Sequence, residues 1–447
     1  MSIKSFNLKI RNKISPFKKI IKVDSDKSIS IRSFLIGSIS HGISCVENSL
    51  ESEDVFSTIK CLKKLGVKIR RKNKKYFVYG KGLGSLFAKK NLKLNFGNSG
   101  TLARLLTGIL STTPRIEVIL TGDKSLQKRS MKKLILLLSE FGASFSPKKK
   151  HNFPLKLIST DLPIGIKYES GVSAQLKSAA ILAGMNSYGN TIIIEKNKSR
   201  DHTENMLLKN YHLIRINNGK RRQIKIFGNK YINSLHTKIP GDPSSAAFFT
   251  ALTVLRENSS IKIKNVGLNK TRTGFYRLLK KSGAKIYFKN LKKKNNEIFG
   301  DIVVKSCKLK PIKASKEYYV NSTDEYPILF VLASLIKGTS IFKGISDLAN
   351  KESNRIKEMQ NILKQIDVKS KSTKDEIKIF GRGIFDAKNK KILVPNLGDH
   401  RICMSSFILA LITGANTFIK NFETVYTSAP SFLKIIKVLG GKFEIKN

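Results

Sequence analysis

A helix end, a turn and the start of a strand recur six times along this chain. The copies read LKKLGVKI (Leu62 to Ile69), LSEFGASF (Leu138 to Phe145), LKNYHLIRI (Leu208 to Ile216), LKKSGAKI (Leu279 to Ile286), LKQIDVKS (Leu363 to Ser370) and IKVLGGKF (Ile436 to Phe443). Their spacing of roughly 70 to 85 residues is too long for a solenoid repeat. Gly66, Gly142, Gly283 and Gly440 stand where a residue just past a helix takes positive φ. His212 and Asp367 take that place in the other two copies. After most turns, polar and apolar residues alternate, as in KYFVYGKG from Lys75 and QIKIFGNK from Gln223, which predicts hairpin strands. Longer apolar helices are expected at Ala174 to Met185, Ala246 to Leu255 and Ile328 to Ile336. A module of about 70 residues is near the lower limit for an independent core. Six such α/β modules are therefore expected to pack as two domains of three, helices inside and sheets outside. The alternative weighed is six unrelated amphipathic helix ends.

Charge poses the opposite question, because it points outward. Lys and Arg number 84 against 31 Asp and Glu, for a net charge of +53 in 447 residues. Such an excess is the usual footprint of a nucleic-acid partner or an anionic membrane. Here the lysines spread over every repeat, and no RNA or DNA motif accompanies them, so no specific nucleic acid is expected. The 40% hydrophobic content excludes a wholly disordered chain. No apolar run reaches the roughly 18 residues that span a bilayer. Cys45, Cys61, Cys307 and Cys403 lie far apart and the six histidines are scattered, so neither a metal site nor a disulfide framework is expected. The basic segment before Asp24 is loosely like an organelle transit peptide, but Lys18 to Val23 already reads as a strand. The reading is a cytoplasmic protein with neither metal nor membrane anchor.

Chemistry concentrates in nine short strings. Asp26-Lys27-Ser28-Ile29-Ser30-Ile31-Arg32 follows a strand expected at Ile20 to Val23 and opens an apolar helix. Ser28 and Arg32 share one face of it, and Lys27 sits at a helix start that already favours anions. Phe96-Gly97-Asn98-Ser99-Gly100-Thr101, with Arg104, follows a strand expected at Leu92 to Phe96; its glycines let backbone approach a phosphate or carboxylate. It lacks the Gly-Lys-Ser/Thr ending of a P-loop. Thr121-Gly122-Asp123 with Lys128-Arg129 comes third; Ser173-Ala174-Gln175 with Arg200-Asp201-His202-Thr203-Glu204 comes fourth. Then come Pro240-Gly241-Asp242-Pro243-Ser244-Ser245, Asn269-Lys270-Thr271-Arg272-Thr273-Gly274 and Thr323-Asp324-Glu325-Tyr326-Pro327. Lys351-Glu352-Ser353-Asn354-Arg355 would, if helical, place Lys351 and Arg355 on one face with Glu352 at its edge. Gly398-Asp399-His400-Arg401 is last. Each string alone is more often a helix cap, a surface pair or a loop.

In this order the nine strings resemble the 5-enolpyruvylshikimate-3-phosphate synthase (3-phosphoshikimate 1-carboxyvinyltransferase) family, over almost the whole chain from about Ile20. SAQ, RDHTE and DEYP look most like the bacterial class known for glyphosate-tolerant members, although Gly100 is glycine where those carry alanine. The resemblance implies an inverse α/β-barrel-like fold of six βαβαββ units, three per domain. Residues 1–24 plus 242–447 would form one domain and 25–241 the other, with the active site in the cleft between them. It implies transfer of the enolpyruvyl group of phosphoenolpyruvate to the 5-hydroxyl of shikimate 3-phosphate, without cofactor, by a monomer that glyphosate inhibits. The sister transferase acting on UDP-N-acetylglucosamine typically has a reactive cysteine in the segment matching Asp123 to Arg129, which contains none.

Carried over by position, the resemblance makes Asp324 the general base on the 5-hydroxyl. Glu352 becomes the second proton-transfer carboxylate, and Lys27 a phosphoenolpyruvate contact that moves protons. Shikimate 3-phosphate would be held by Lys27, Ser28, Arg32, Ser173, Ala174, Gln175, Arg200, Asp324 and Lys351, with Ser173 and Arg200 near its phosphate. Phosphoenolpyruvate would be held by Lys27, Asn98, Gly100, Arg129, Gln175, Lys351, Arg355 and Arg401, the last two clamping its carboxylate. The chain departs from the family at Asp24-Ser25 (usually Pro-Gly), Ser130 (commonly proline), Ala349 (often arginine) and Asn354 (usually aspartate).

Overall fold

Six helices that are buried almost all round organise the structure, a computed structural model describing residues 5–219 and 221–446. They span Lys27–Ser38, Gly100–Ser111, Ala174–Gly184, Pro243–Leu255, Tyr326–Ser334 and His400–Thr413. Every residue of Pro243–Leu255 and of His400–Thr413 is buried. A helix apolar on all sides belongs in an interior, and short polar residues cap five of the six at the boundary. Asp26, Ser99, Ser173, Asp242 and Asp399 each accept a backbone N–H two or three residues further on. All five caps come from the strings singled out above.

Six four-stranded sheets cover these helices. In each, the edge strand runs parallel to the second and the third runs antiparallel to it. Burial alternates along many strands, as in Lys75–Tyr79 and Lys391–Val394, so one face is packed and the other meets solvent. Three sheets take a strand from elsewhere in the chain. Lys18–Ile21 pairs with Ser260–Gly267, His236–Lys238 pairs with Ile43–Glu47, and Asn7–Ile10 lies between Asn416–Ile419 and Glu444–Lys446. The basic segment before Asp24 thus supplies two strands.

Packing divides the chain into two units. One comprises Met1–Asp24, Pro240–Lys293 and Ile298–Asn447; the other comprises Ser25–Ile239 with Lys294–Glu297. Each holds three of the buried helices and its own apolar core. In the second unit the Gly100 and Ala174 helices touch closely at Gly108, where a Cβ would fall 2.7 Å from the carbonyl oxygen of Ala179.

The turn residues take left-handed backbone at Gly66, Gly142, Gly283 and Gly440, and also at Asp367. His212 does not. Its copy ends the helix at Leu207 and continues through a longer turn, where His212 stacks on Tyr231 and its Nε2 lies 2.9 Å from the Tyr231 carbonyl. The Lys351 string also differs from expectation. Residues 351–354 are not helical, and the helix begins at Arg355 because Asn354 caps it by accepting the Lys357 N–H. Lys351 and Arg355 therefore do not share a helix face. Among the described residues, no helix is long and apolar enough to cross a membrane, and no group of His, Cys, Asp and Glu is arranged to hold a metal ion.

Candidate active site

In the second unit, the expected site residues gather at the N-terminal ends of its three buried helices. These ends carry unsatisfied N–H groups and the positive end of the helix dipole. Lys27 is the first residue of its helix, and its ammonium pairs with the buried Asp54 at 2.9 Å. Arg32, one turn on, is buried. Its Nη1 donates to the Ser28 carbonyl (3.1 Å), its Nε to Thr203 Oγ1 (2.8 Å) and its Nη2 to Ser178 Oγ (3.0 Å). These bonds tie the Lys27 helix to the Ala174 helix and to the short helix His202–Leu207.

At the next helix, Asn98 links two charged groups. It donates to Asp123 (2.9 Å) and accepts from Arg129 Nη2 (3.1 Å). Gly100 opens the helix, and a Cβ there would lie 2.8 Å from Nη1 of both Arg104 and Arg129. Arg104 donates to the Gly100 carbonyl (3.1 Å) and to Gln175 Oε1 (2.9 Å), while Gln175 donates to Thr101 Oγ1 (3.0 Å). Ser173 caps the third helix, with Ala174 and Gln175 in its first turn. Arg200 is half-buried just before His202–Leu207. The structure therefore joins Asn98 to Arg129 in one hydrogen-bonded group and Gly100 to Gln175, through Arg104, in a second, with both guanidinium ends close to Gly100, and it ties Arg32 to the Ala174 helix.

In the first unit, three strings converge on one guanidinium. Arg355 is fully buried. It donates through Nε to Asp399 Oδ2 (2.9 Å) and through Nη2 to Glu352 Oε2 (2.6 Å), and its Nη1 pairs with Asp324 at 3.7 Å. Burial opposes the charged form, but Asp399 and Glu352 outweigh it and hold Arg355 firmly protonated. Ser353 adds a bond to Asp399 at 3.0 Å. Lys351 pairs with Asp347 (2.6 Å), which also accepts from the Tyr319 hydroxyl (2.9 Å). Arg401 is buried at the start of its helix, 5.9 Å from the Phe248 ring centroid, and its Nε and Nη1 have no hydrogen-bond partner among the described residues. A buried guanidinium with a bare edge is suited to a planar anion. Much of the Arg355 fork is engaged by carboxylates of the protein itself.

Some partners lay outside the sequence reading. Asp54, Asp123 and Asp399 hold Lys27, Asn98 and Arg355, and Arg104 bridges to Gln175. Asp399 and Arg104 stood inside quoted strings, and Arg104 is one helical turn from Gly100. Asp54 carried no signal beyond being an acid near a helix start.

The family model described as EPSP synthase (3-phosphoshikimate 1-carboxyvinyltransferase) matches residues 11–436. A 3-phosphoshikimate 1-carboxyvinyltransferase of Caldicellulosiruptor bescii is 39% identical over 422 residues, covering 93% of this chain and 95% of that protein. One of Paramagnetospirillum magneticum is 37% identical over 429 residues, covering 95% of each. The structure of an EPSP synthase from Acinetobacter baumannii superposes with a TM-score of 0.84 at 33% identity, over 99% of this chain and 100% of that one.

Proposed function

The chain belongs to the EPSP synthase family, and we infer on that premise that it transfers the enolpyruvyl group of phosphoenolpyruvate to the 5-hydroxyl of shikimate 3-phosphate. The products are 5-enolpyruvylshikimate 3-phosphate and inorganic phosphate. C3 of phosphoenolpyruvate gains a proton, the 5-hydroxyl oxygen attacks C2 and loses its proton, and a tetrahedral intermediate forms. Loss of a proton from C3 and of phosphate from C2 then gives the enol ether.

That sequence needs cations to hold two anionic substrates together and groups to move protons. Asp324 is the base for the 5-hydroxyl, Glu352 is the second carboxylate, and Lys27 moves protons at phosphoenolpyruvate. Ser28, Arg32, Ser173, Ala174, Gln175 and Arg200 bind shikimate 3-phosphate. Asn98, Gly100, Arg129 and Arg401 bind phosphoenolpyruvate, with Lys351 touching both substrates. Arg355 orients Glu352 and Asp324 in addition to its assigned part in the carboxylate clamp. Glyphosate competes with phosphoenolpyruvate.

The observation that carries this reading is the pairing of Asp324 and Glu352 with the one buried Arg355, while Arg401 keeps two bare donors. Proton-transfer carboxylates and an anion-ready guanidinium then stand on neighbouring strings. The test is phosphate release from purified protein with both substrates, each omitted in turn. Release that requires both supports the reading; none with both present, in a folded protein, overturns it.

A further inference from the structure

We propose that a buried ion cluster, Lys177, Glu195, Glu204 and Arg222, is a positioning device that sets how strongly this enzyme grips the phosphate of shikimate 3-phosphate. The inference rests on the reading of Ser173 and Arg200 as residues near that phosphate and of Arg32 as a shikimate 3-phosphate ligand.

The Lys177, Glu195 and Glu204 side chains are fully buried, and Arg222 closes the cluster from a slightly exposed position. The Lys177 ammonium meets Glu204 (2.7 Å), Glu195 (2.8 Å) and the Ser199 carbonyl (3.4 Å), which accounts for its three protons. Arg222 pairs with Glu195 and, at 3.3 Å, with Glu204. Two cations thus balance two anions. Burial alone would raise the Glu195 carboxyl, but Lys177, Arg222 and the Ser199 N–H together hold it below the usual glutamate range.

Four buried charges are a costly way to hold segments together, since apolar side chains of similar volume often serve as well. What charges add is direction, and three members of this cluster, Lys177, Glu195 and Glu204, connect through the adjoining backbone to expected site residues. Lys177 is one turn from Ser173, and its N–H donates to the Ser173 carbonyl (3.1 Å). Glu195 grips Ser199 by its N–H (3.1 Å) and its hydroxyl (2.9 Å), and Ser199 precedes Arg200. Glu204 follows Thr203, and Lys177 precedes Ser178; Thr203 and Ser178 are the two side chains that accept from Arg32. One cluster therefore fixes the backbone on which all three residues depend. None of its four members needs to touch substrate.

The charge-balanced variant Lys177→Met/Glu204→Gln leaves Glu195 with Arg222. Titration calorimetry on folded protein would compare shikimate 3-phosphate with unphosphorylated shikimate. The preference for the phosphorylated ligand should fall at least about tenfold, because small misplacements of binding groups are costly. Shikimate affinity and the KM for phosphoenolpyruvate should stay within about twofold of wild type. An unchanged preference, or equal loss for both ligands, overturns the proposal. If the double variant does not melt cooperatively, Ser199→Ala decides. It deletes one hydroxyl, so the preference should fall by roughly threefold, and no change overturns the proposal. Failure of the underlying function reading would show separately, as a wild-type protein with no preference for the phosphorylated ligand.

Discussion

Asp324 and Glu352 meet the same guanidinium but differ in what their loss should do to it. Arg355 keeps Asp399 and Glu352 when Asp324 is removed, so its buried charge stays compensated. Asp324→Ala should therefore fold with near wild-type melting behaviour while phosphate release falls by about 10² to 10⁴, the range of a lost general base. Glu352→Gln keeps an amide oxygen for Arg355 and removes only the proposed proton-transfer group, and it should show a comparable loss. Wild-type turnover in either purified variant refutes the assigned role. Gly100 is a different case. A Cβ there meets only the guanidinium ends of Arg104 and Arg129, which can move, so Gly100→Ala should cost little stability. It should instead displace the Arg129 contact with Asn98 and narrow the space beside it. The KM for phosphoenolpyruvate should rise a few-fold and the glyphosate inhibition constant more; a variant inhibited as strongly as wild type contradicts this. The departure at Asn354 has a residue-scale explanation, because asparagine caps a helix as well as aspartate does.

At the scale of elements, the Ala174 helix, the strand Asn190–Glu195, the helix His202–Leu207 and the strand Arg222–Phe227 meet at Glu195 and its partners, and that junction should be sensitive to acid. Glu195 has its carboxyl held low in the folded state. A group of that kind contributes stability fully above its unfolded value, about 4.3, and loses it as pH falls through the folded value. Wild type should thus melt well above Glu195→Gln near neutral pH, and the gap should shrink as pH drops below about 4. A gap independent of pH would show that the carboxylate charge is not what stabilises the junction. Asp24 works in the opposite sense. Burial raises its carboxyl despite the Ser431 N–H, so its ionised form opposes folding as pH rises. The helices themselves were legible in the sequence, because a short polar cap before an all-apolar run is a local signal, as at Asp26, Ser99 and Ser173. The left-handed turns were legible for the same reason at Gly66 and Gly142, while His212 misled because position in a repeat does not fix backbone conformation. Pairings across sequence were not legible. Nothing local ties Asn7–Ile10 to Asn416–Ile419, or Asp399 to Arg355, since these choices are made by the packed core. The late helix start at Arg355 is set by the Asn354 side chain accepting the Lys357 N–H, which residue spacing alone does not reveal.

For the whole molecule, the +53 charge sets a condition on stability that no single contact relieves. Thirty-one acidic side chains cannot pair with 84 basic ones, and several of those acids are already committed to the buried groups around Lys177, Arg272 and Arg355. Part of the excess lies on outward strand positions, as along Lys285–Lys294 and Lys68–Lys72, where most residues are exposed. Exposed ion pairs such as Lys75 with Glu47 each contribute about 0–1 kcal/mol, and salt weakens them, so they pull stability down as salt rises. Repulsion among the unpaired lysines acts over a longer range and is screened by the same salt. Which effect wins is decided by number, and here the unpaired cations far exceed the pairs. Raising sodium chloride from 0.01 to 0.15 M shortens the screening length from about 30 to about 8 Å. The melting temperature should then rise by a few degrees. Over the same range, kcat/KM for both anionic substrates should fall, because the field that destabilises the fold also draws them in. The two measurements separate this account from its rival. If chloride stabilised the protein only by occupying the substrate sites, saturating shikimate 3-phosphate and glyphosate would abolish the rise in melting temperature. If long-range repulsion is the cause, the rise should persist in the liganded enzyme, and a flat or falling melting temperature there would refute it.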